Sequence, residues 1–239
     1  MTRVFRYLPL LVLTLFCVQF ANAQSSFDIN IGFGGAHDSA NKAGIDTNPN
    51  LFLPACSSST LTGYCQQTSG LSAFMLGLGG NLMLWKHFGL GFNADIEPVQ
   101  ANYANLTSYY TGQVGATPGT TYELKDRVTF YQVDGIFQPI SSKKASLQLM
   151  GGIGGANVKF YQGFSSTGSV LGNVNQSQYQ QSANHFQVHV GAGVQIYVSG
   201  NLFVRPEFDI HYAPNLNTQF NSNLAYDGMI WVGYSFGNR

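Results

Sequence analysis

Between positions 185 and 198 the sequence reads HFQVHVGAGVQIYV, and its side chains alternate in kind. Phe186, Val188, Val190, Val194 and Ile196 fall on one parity, while Gln187, His189, Gly191, Gly193 and Gln195 fall on the other. Successive strand side chains point to opposite sides, so period two marks a β-strand whose two faces meet different surroundings. The same pattern recurs at 26–37, 72–85, 88–99, 127–140, 146–161, 201–214 and 224–236. In the 146–161 segment Gly151, Gly152, Gly154 and Gly155 blur the phase, which a β-bulge would explain. The pattern predicts eight strands.

Charge limits what can surround those strands. Asp, Glu, Lys and Arg make up 9% of the chain, against roughly 25% in ordinary soluble domains. Arg3 and Arg6 precede an apolar run at 8–20 that closes with Ala21-Asn22-Ala23. This reads as a secretory signal cleaved after Ala23, leaving 1–23 as leader and 24–239 as the mature domain. The run is shorter than the roughly 20 residues of a spanning helix, and no later stretch is long and apolar enough to serve. An exported chain with 28 glycines and 14% aromatics then buries its apolar faces most economically as strands in a membrane. Cleavage removes two of the 11 basic residues and none of the 11 acidic ones, a net charge of −2, so no nucleic-acid partner is expected. Cys17 leaves with the leader, and Cys56 and Cys65 are expected to form a local disulfide.

The connections are unequal. Tight turns are expected near Lys86 and His87, at 141–145 and at 199–201. The other joins are long: about 33 residues after the first strand, about 20 after the third and fifth, and a shorter one at 215–223. Short turns at one end and long loops at the other describe an all-β, eight-stranded antiparallel up-and-down transmembrane β-barrel. A soluble calyx also has eight strands, but it turns its apolar face inward and its polar face to water. Here the polar face is mostly Gly, Asn and Gln, lacking the Lys and Glu of a solvated sheet and suiting a crowded interior. Tyr103, Tyr122, Tyr161, Tyr212, Tyr226, Tyr234 and Phe236 gather at segment ends, as an interfacial girdle would.

With these eight segments and the final Tyr226-x-Gly228-x-Ile230-x-Val232-x-Tyr234-x-Phe236, the chain resembles the bacterial outer-membrane β-barrel family that includes the transmembrane domain of outer-membrane protein A. The resemblance implies an outer-membrane location among lipid and lipopolysaccharide. It also implies recognition of Tyr234 and Phe236 by the barrel-assembly machinery, although this chain continues with Gly237-Asn238-Arg239.

The segment NLFVRPEFDIHYAP (201–214) sets Arg205, Glu207, Asp209 and His211 on one parity. Asp28, Asp95, Glu97, Asp134, Gln138 and His189 hold the matching parity elsewhere. An eight-stranded barrel is just wide enough for side chains to fill, and buried charge must be paired or hydrogen-bonded. These residues are therefore expected to form a structural lumen network, with Arg205 bridging Asp134, Glu97 and Asp95 in addition to Glu207.

No catalytic residue, cofactor or metal is expected. His211-Tyr212-Ala213-Pro214-Asn215 is similar to the His-x-Ser-Asn stretch of outer-membrane lipid A deacylases, but Ala213 stands at the nucleophile's position and cannot attack an ester. His37-Asp38-Ser39 holds the residue types of outer-membrane acyltransferases, yet adjacency in sequence does not make a triad. The histidines lack paired ligand spacing, since His185 and His189 on a strand stand roughly 13 Å apart. The expected function is a non-enzymatic envelope protein that maintains the membrane or meets a surface ligand through its loops. The alternatives are a narrow channel and a lipid A-modifying enzyme.

Overall fold

The computed structural model describes residues 26–38, 71–105, 120–166, 174–220 and 222–237. Among the described residues nine strands and one helical turn follow one another: β1 (Ser26–Asp38), β2 (Ser72–Met83), β3 (Phe88–Ile96), β4 (Ala101–Asn105), β5 (Thr120–Ser141), β6 (Ala145–Ser166), β7 (Val174–Ser199), β8 (Leu202–Tyr212), α1 (Asn217–Phe220) and β9 (Leu224–Gly237). They form one antiparallel sheet in the order β3-β2-β1-β9-β8-β7-β6-β5-β4, and a further β3–β5 pairing closes it. β3 and β4 lie end to end along β5, β3 against 129–137 and β4 against 123–126. Pro98 stands in the gap between them, where the missing N–H cannot continue the ladder. The nine strands thus make eight staves of a closed, up-and-down barrel.

Closure is sealed by the first and last strands, paired from Ser26↔Gly237 to Asp38↔Ala225. At one end, hereafter the turn end, the staves are joined tightly. Leu84 and Trp85 both donate to the Phe88 carbonyl at 3.0 Å, Ser142 Oγ accepts from the Ala145 amide at 3.0 Å, and Gly200 takes a positive φ of 54° between β7 and β8.

The two faces of the wall are opposite in chemistry. Ile31 is 61% exposed and its neighbour Asn30 only 1%. The outward rows of the full staves are mostly Phe, Leu, Ile and Val, and the inward rows mix Asp, Asn, Gln, His and Gly with buried Met83, Phe203 and Trp231. An apolar exterior around a polar interior is the inside-out arrangement of a barrel that spans a membrane.

The stave segments match the alternating stretches, with two differences. No bulge occurs among the glycines of β6, where pairing runs unbroken from Gly151 to Gly155 on both sides. Glycine is required there by close approach: a Cβ at Gly154 would strike the Tyr131 carbonyl, and one at Gly155 would strike the Tyr131 ring lying over it. The register shifts instead fall between Asn102 and Ala104, between Phe137 and Ile140, between Phe160 and Tyr161, and between Tyr197 and Ser199. The second difference is length. β5 and β6 have 22 residues each and β7 has 26, so strand occupies much of what the alternation left as long joins. β7 pairs with β8 only from Val188 onward, so β4 and the upper parts of β5, β6 and β7 stand above the other staves as a raised wall.

Candidate functional site

The inward row of β8 crosses the middle of the lumen. Phe203, Arg205, Glu207, Asp209 and His211 are all buried. Arg205 Nη1 donates to Gln148 Oε1 of β6 at 2.9 Å. Its Nε lies 2.7 Å from Glu207 Oε2, an ion pair whose angle is not that of a hydrogen bond. The guanidinium stands 5.6 Å from the Trp231 ring centroid, and Trp231 Nε1 donates to Glu207 Oε1 at 2.9 Å. One cation is thus gripped by an amide, a carboxylate and an aromatic face.

Toward the turn end the network becomes a relay of amides. Gln148 Nε2 donates to Gln195 Oε1 at 2.6 Å, and Gln195 Nε2 reaches Asp28 Oδ2 at 3.2 Å and the Tyr197 hydroxyl at 2.7 Å. Below it a cavity of about 300 Å³ opens at the turn end, with Asp28, Lys86, Gln138, Lys143, Ser146 and Tyr197 among its walls.

Toward the loop end the network turns to imidazoles. His189 places Nδ1 2.8 Å from Asp134 Oδ1 and Nε2 2.9 Å from Asp209 Oδ1. The ring thus bridges carboxylates carried by β5 and β8. His211 Nε2 meets Asp227 Oδ2 at 3.0 Å. Its ring stacks on Phe130 with centroids 4.4 Å apart and lies 5.0 Å from the His189 ring. On the β5 side Gln187 Nε2 donates to Gln132 Oε1 at 3.3 Å, and Gln132 Nε2 reaches Asp95 Oδ2 at 3.5 Å.

Above the imidazoles the lumen is corked. Leu71, Met75, Val128, Phe130, Val158, Phe160, Leu216 and Phe220 belong to one buried apolar cluster that extends down to Trp231. The connection between β8 and β9 supplies the lid: α1 is a single turn closed by Phe220 N–H to Leu216 O at 3.0 Å, and it lowers both side chains into the barrel. Phe220 meets Phe160 at 6.2 Å between centroids. Asp38 Oδ2 accepts the Leu71 amide at 2.7 Å and holds the start of β2 against the cork.

The expected Arg205 bridges need correction. Asp134 is taken by His189, and Asp95 by Gln132. Glu97 lies one residue beyond β3, where its Oε2 accepts the Val128 amide at 2.7 Å. Arg205 instead meets Gln148 and Trp231 besides Glu207. Gln148, Gln195, Asp227 and Trp231 lie outside the expected network, although their parity within the alternating segments marks them as inward.

Of the enzyme-like stretches, Ser39 falls outside the described residues, His37 is exposed and Asp38 buried, so these two face opposite sides of the wall, and Ala213 lies in the cork. Among the described residues His189 and His211 are hydrogen-bonded to carboxylates and to no Ser, Thr or Cys, and no cluster is arranged to hold a metal ion. Tyr234 and Phe236 face outward near the turn end, 4.8 Å apart between centroids, with Phe27 stacked beside Phe236. Residues 1–23, Cys56 and Cys65 fall outside the described residues.

No protein-family model and no curated protein matches the sequence. Several solved structures are similar in fold. Ail, the attachment invasion locus protein of Yersinia pestis, is 14% identical over 89% of this chain and 99% of its own, with a TM-score of 0.45. The N-terminal β-barrel domain of Pseudomonas aeruginosa OprF is 13% identical over 90% and 98%, with a TM-score of 0.40. A major outer membrane protein from Thermus thermophilus is 11% identical over 89% and 99%, with a TM-score of 0.49.

Proposed function

We propose that the protein is a non-enzymatic integral barrel of a bacterial outer membrane, with the turn end in the periplasm and the raised wall presented outside the cell. The observation that carries this reading is the filled lumen: the Arg205 and His189 networks occupy the middle, and an apolar cork closes the loop end. Among the described residues these side chains fill the middle and the loop end of the tube, which supports working surfaces on the outer wall and what projects from it. Export by a leader cleaved after Ala23 supplies the mature 24–239 domain, and the closing strand through Tyr234 and Phe236 is the segment the barrel-assembly machinery would read. A Cys56–Cys65 bridge would tie the first external loop, and lipid and lipopolysaccharide would surround the belt.

The test is conductance in planar bilayers together with lipid A acylation. Silence in the bilayer and identical acylation patterns with and without the protein are the expected results. A steady single-channel current would replace this reading with the channel, and a changed acyl pattern would replace it with the enzyme.

A further inference from the structure

The outer face of the raised wall changes character in layers. Where the apolar belt ends, Tyr131 and Phe186 flank Gly155 across β5, β6 and β7. The next outward row is polar: Thr129, Asn157 and Asn184 lie side by side, and Asn157 Nδ2 donates to Asn184 Oδ1 at 2.6 Å. One step higher the register puts Arg127 directly opposite Lys159, and the row above pairs Lys125 with Tyr161. Their outward direction follows from their neighbours, because Asp126, Val128, Val158 and Phe160 are all buried.

Two cations in direct cross-strand opposition repel each other. Among the described residues neither forms a salt bridge: Arg127 Nε donates to the Glu97 main-chain carbonyl at 2.6 Å, and the Glu97 carboxylate turns inward to the Val128 amide. Such a pair at the edge of an apolar belt concentrates positive charge where an anion from outside can meet both side chains.

A second observation lies on the other flank of Arg127. There the lipid-facing surface of β1, β2 and β3 is hollowed into an apolar groove of about 510 Å³, lined by Ile31, Phe33, Leu76, Leu78, Ile96 and Pro98 with Arg127 at its edge. Leu78 is shared with a further hollow over Gly80, walled by Phe27, Leu82, Leu90 and Phe92, because the outward glycine has no side chain to fill it. From the level of Pro98 to that of Gly91 the track is seven residues long, roughly 23 Å. That exceeds the roughly 15 Å of one leaflet's hydrocarbon.

The geometry points to a binding site for a phosphate-bearing lipid of the outer leaflet, its phosphate on Arg127 and Lys159 and one acyl chain laid along the groove. Arg127 supplies a planar donor fork and Lys159 a point charge, a pairing suited to a phosphate monoester. The inference rests on the outer-membrane placement proposed above and names the lipid partner of that placement.

The experiment reconstitutes the mature barrel into bilayers of phosphatidylcholine doped with lipid A, and counts retained lipids by native mass spectrometry. Wild type is expected to retain lipid A over phosphatidylcholine. Arg127→Gln/Lys159→Gln should lose that preference by about tenfold, while Lys86→Gln/Lys143→Gln at the turn end should keep it. Lys159→Gln alone, on the outer surface, should show an intermediate loss and serves if the double variant does not insert. Equal retention by the two double variants overturns the site. Displacement of the lipid by millimolar inorganic phosphate also overturns it, because the ligand would then be the free anion. Failure of wild type to insert would instead strike the membrane placement, and is separated by the heat-dependent gel shift of a folded barrel.

Discussion

The middle of the lumen and its loop end fill the same tube by opposite means. In the middle, Arg205 donates to Gln148 and Trp231 to Glu207 through directed hydrogen bonds, and the Arg205–Glu207 ion pair adds opposite charge. At the loop end, Phe160, Leu216 and Phe220 fill space without direction. Loss of one member therefore has different consequences. A directed network leaves an orphaned charge behind, whereas an apolar cork carried on a one-turn helix can settle into the gap.

The largest expected effect tests the directed half. Arg205→Leu leaves Glu207 buried with only the Trp231 N–H, and should cost about 3 to 5 kcal/mol. The urea unfolding midpoint of the refolded barrel would show it, and a midpoint equal to wild type would mean that the Arg205 contacts do not hold the fold. Next comes Leu216→Ala in the cork, at about 2 kcal/mol, the low end for a buried leucine because α1 can collapse inward. Hydrogen exchange should localise that loss to the β8–β9 connection while the amides of the staves stay protected. If both variants lowered stability equally and globally, the contrast between the two regions would disappear.

A smaller effect is expected at the rim, and it is set by pH. Glu97 lies in the break after β3, outside the spanning segments. Burial pushes its carboxyl up from 4.5 to about 7, against the lowering pull of the Val128 and Ala101 amides and the Arg127 charge. The folded state therefore holds the proton more tightly than the unfolded chain. Stability from this group is full below about pH 4.5 and falls as pH rises toward 7. Glu97→Gln keeps an oxygen for the Val128 amide and removes the titration, so its midpoint should change less than wild type between pH 5 and 8. Parallel curves would show that Glu97 does not carry the dependence. The smallest effect, within about 0.5 kcal/mol, belongs to Val204→Leu, one residue from Arg205 but on the other face of β8.

What could be read in advance follows the same physics. Where a stave has lipid on one side and packed polar groups on the other, every second residue is constrained, and the eight segments stand out as alternation. The upper parts of β5 and β7, TTYELKD and VNQSQYQQSAN, carry no such pattern, since a wall clear of the membrane, as in the proposed placement, would not be forced to segregate its faces. β4 and α1 are too short for any period to show. In the lumen, parity says which residues point inward but not which of them meet. Arg205 reaches Gln148, 57 positions away, because of how far neighbouring staves slide past one another as the barrel closes. That stagger is a property of the whole ring, and no single segment encodes it.

Trp231, the bulkiest residue of β9 and wholly buried, lies across two other staves. A Cβ built on Gly32 of β1 would come within 2.7 Å of its ring, and one on Gly77 of β2 would meet the same indole. Positions 32, 77 and 231, distant in the chain, share one volume of space. Over evolutionary time they are expected to change in concert: a methyl group gained at either glycine requires a smaller side chain at 231, and the indole can persist only where both partners remain bare.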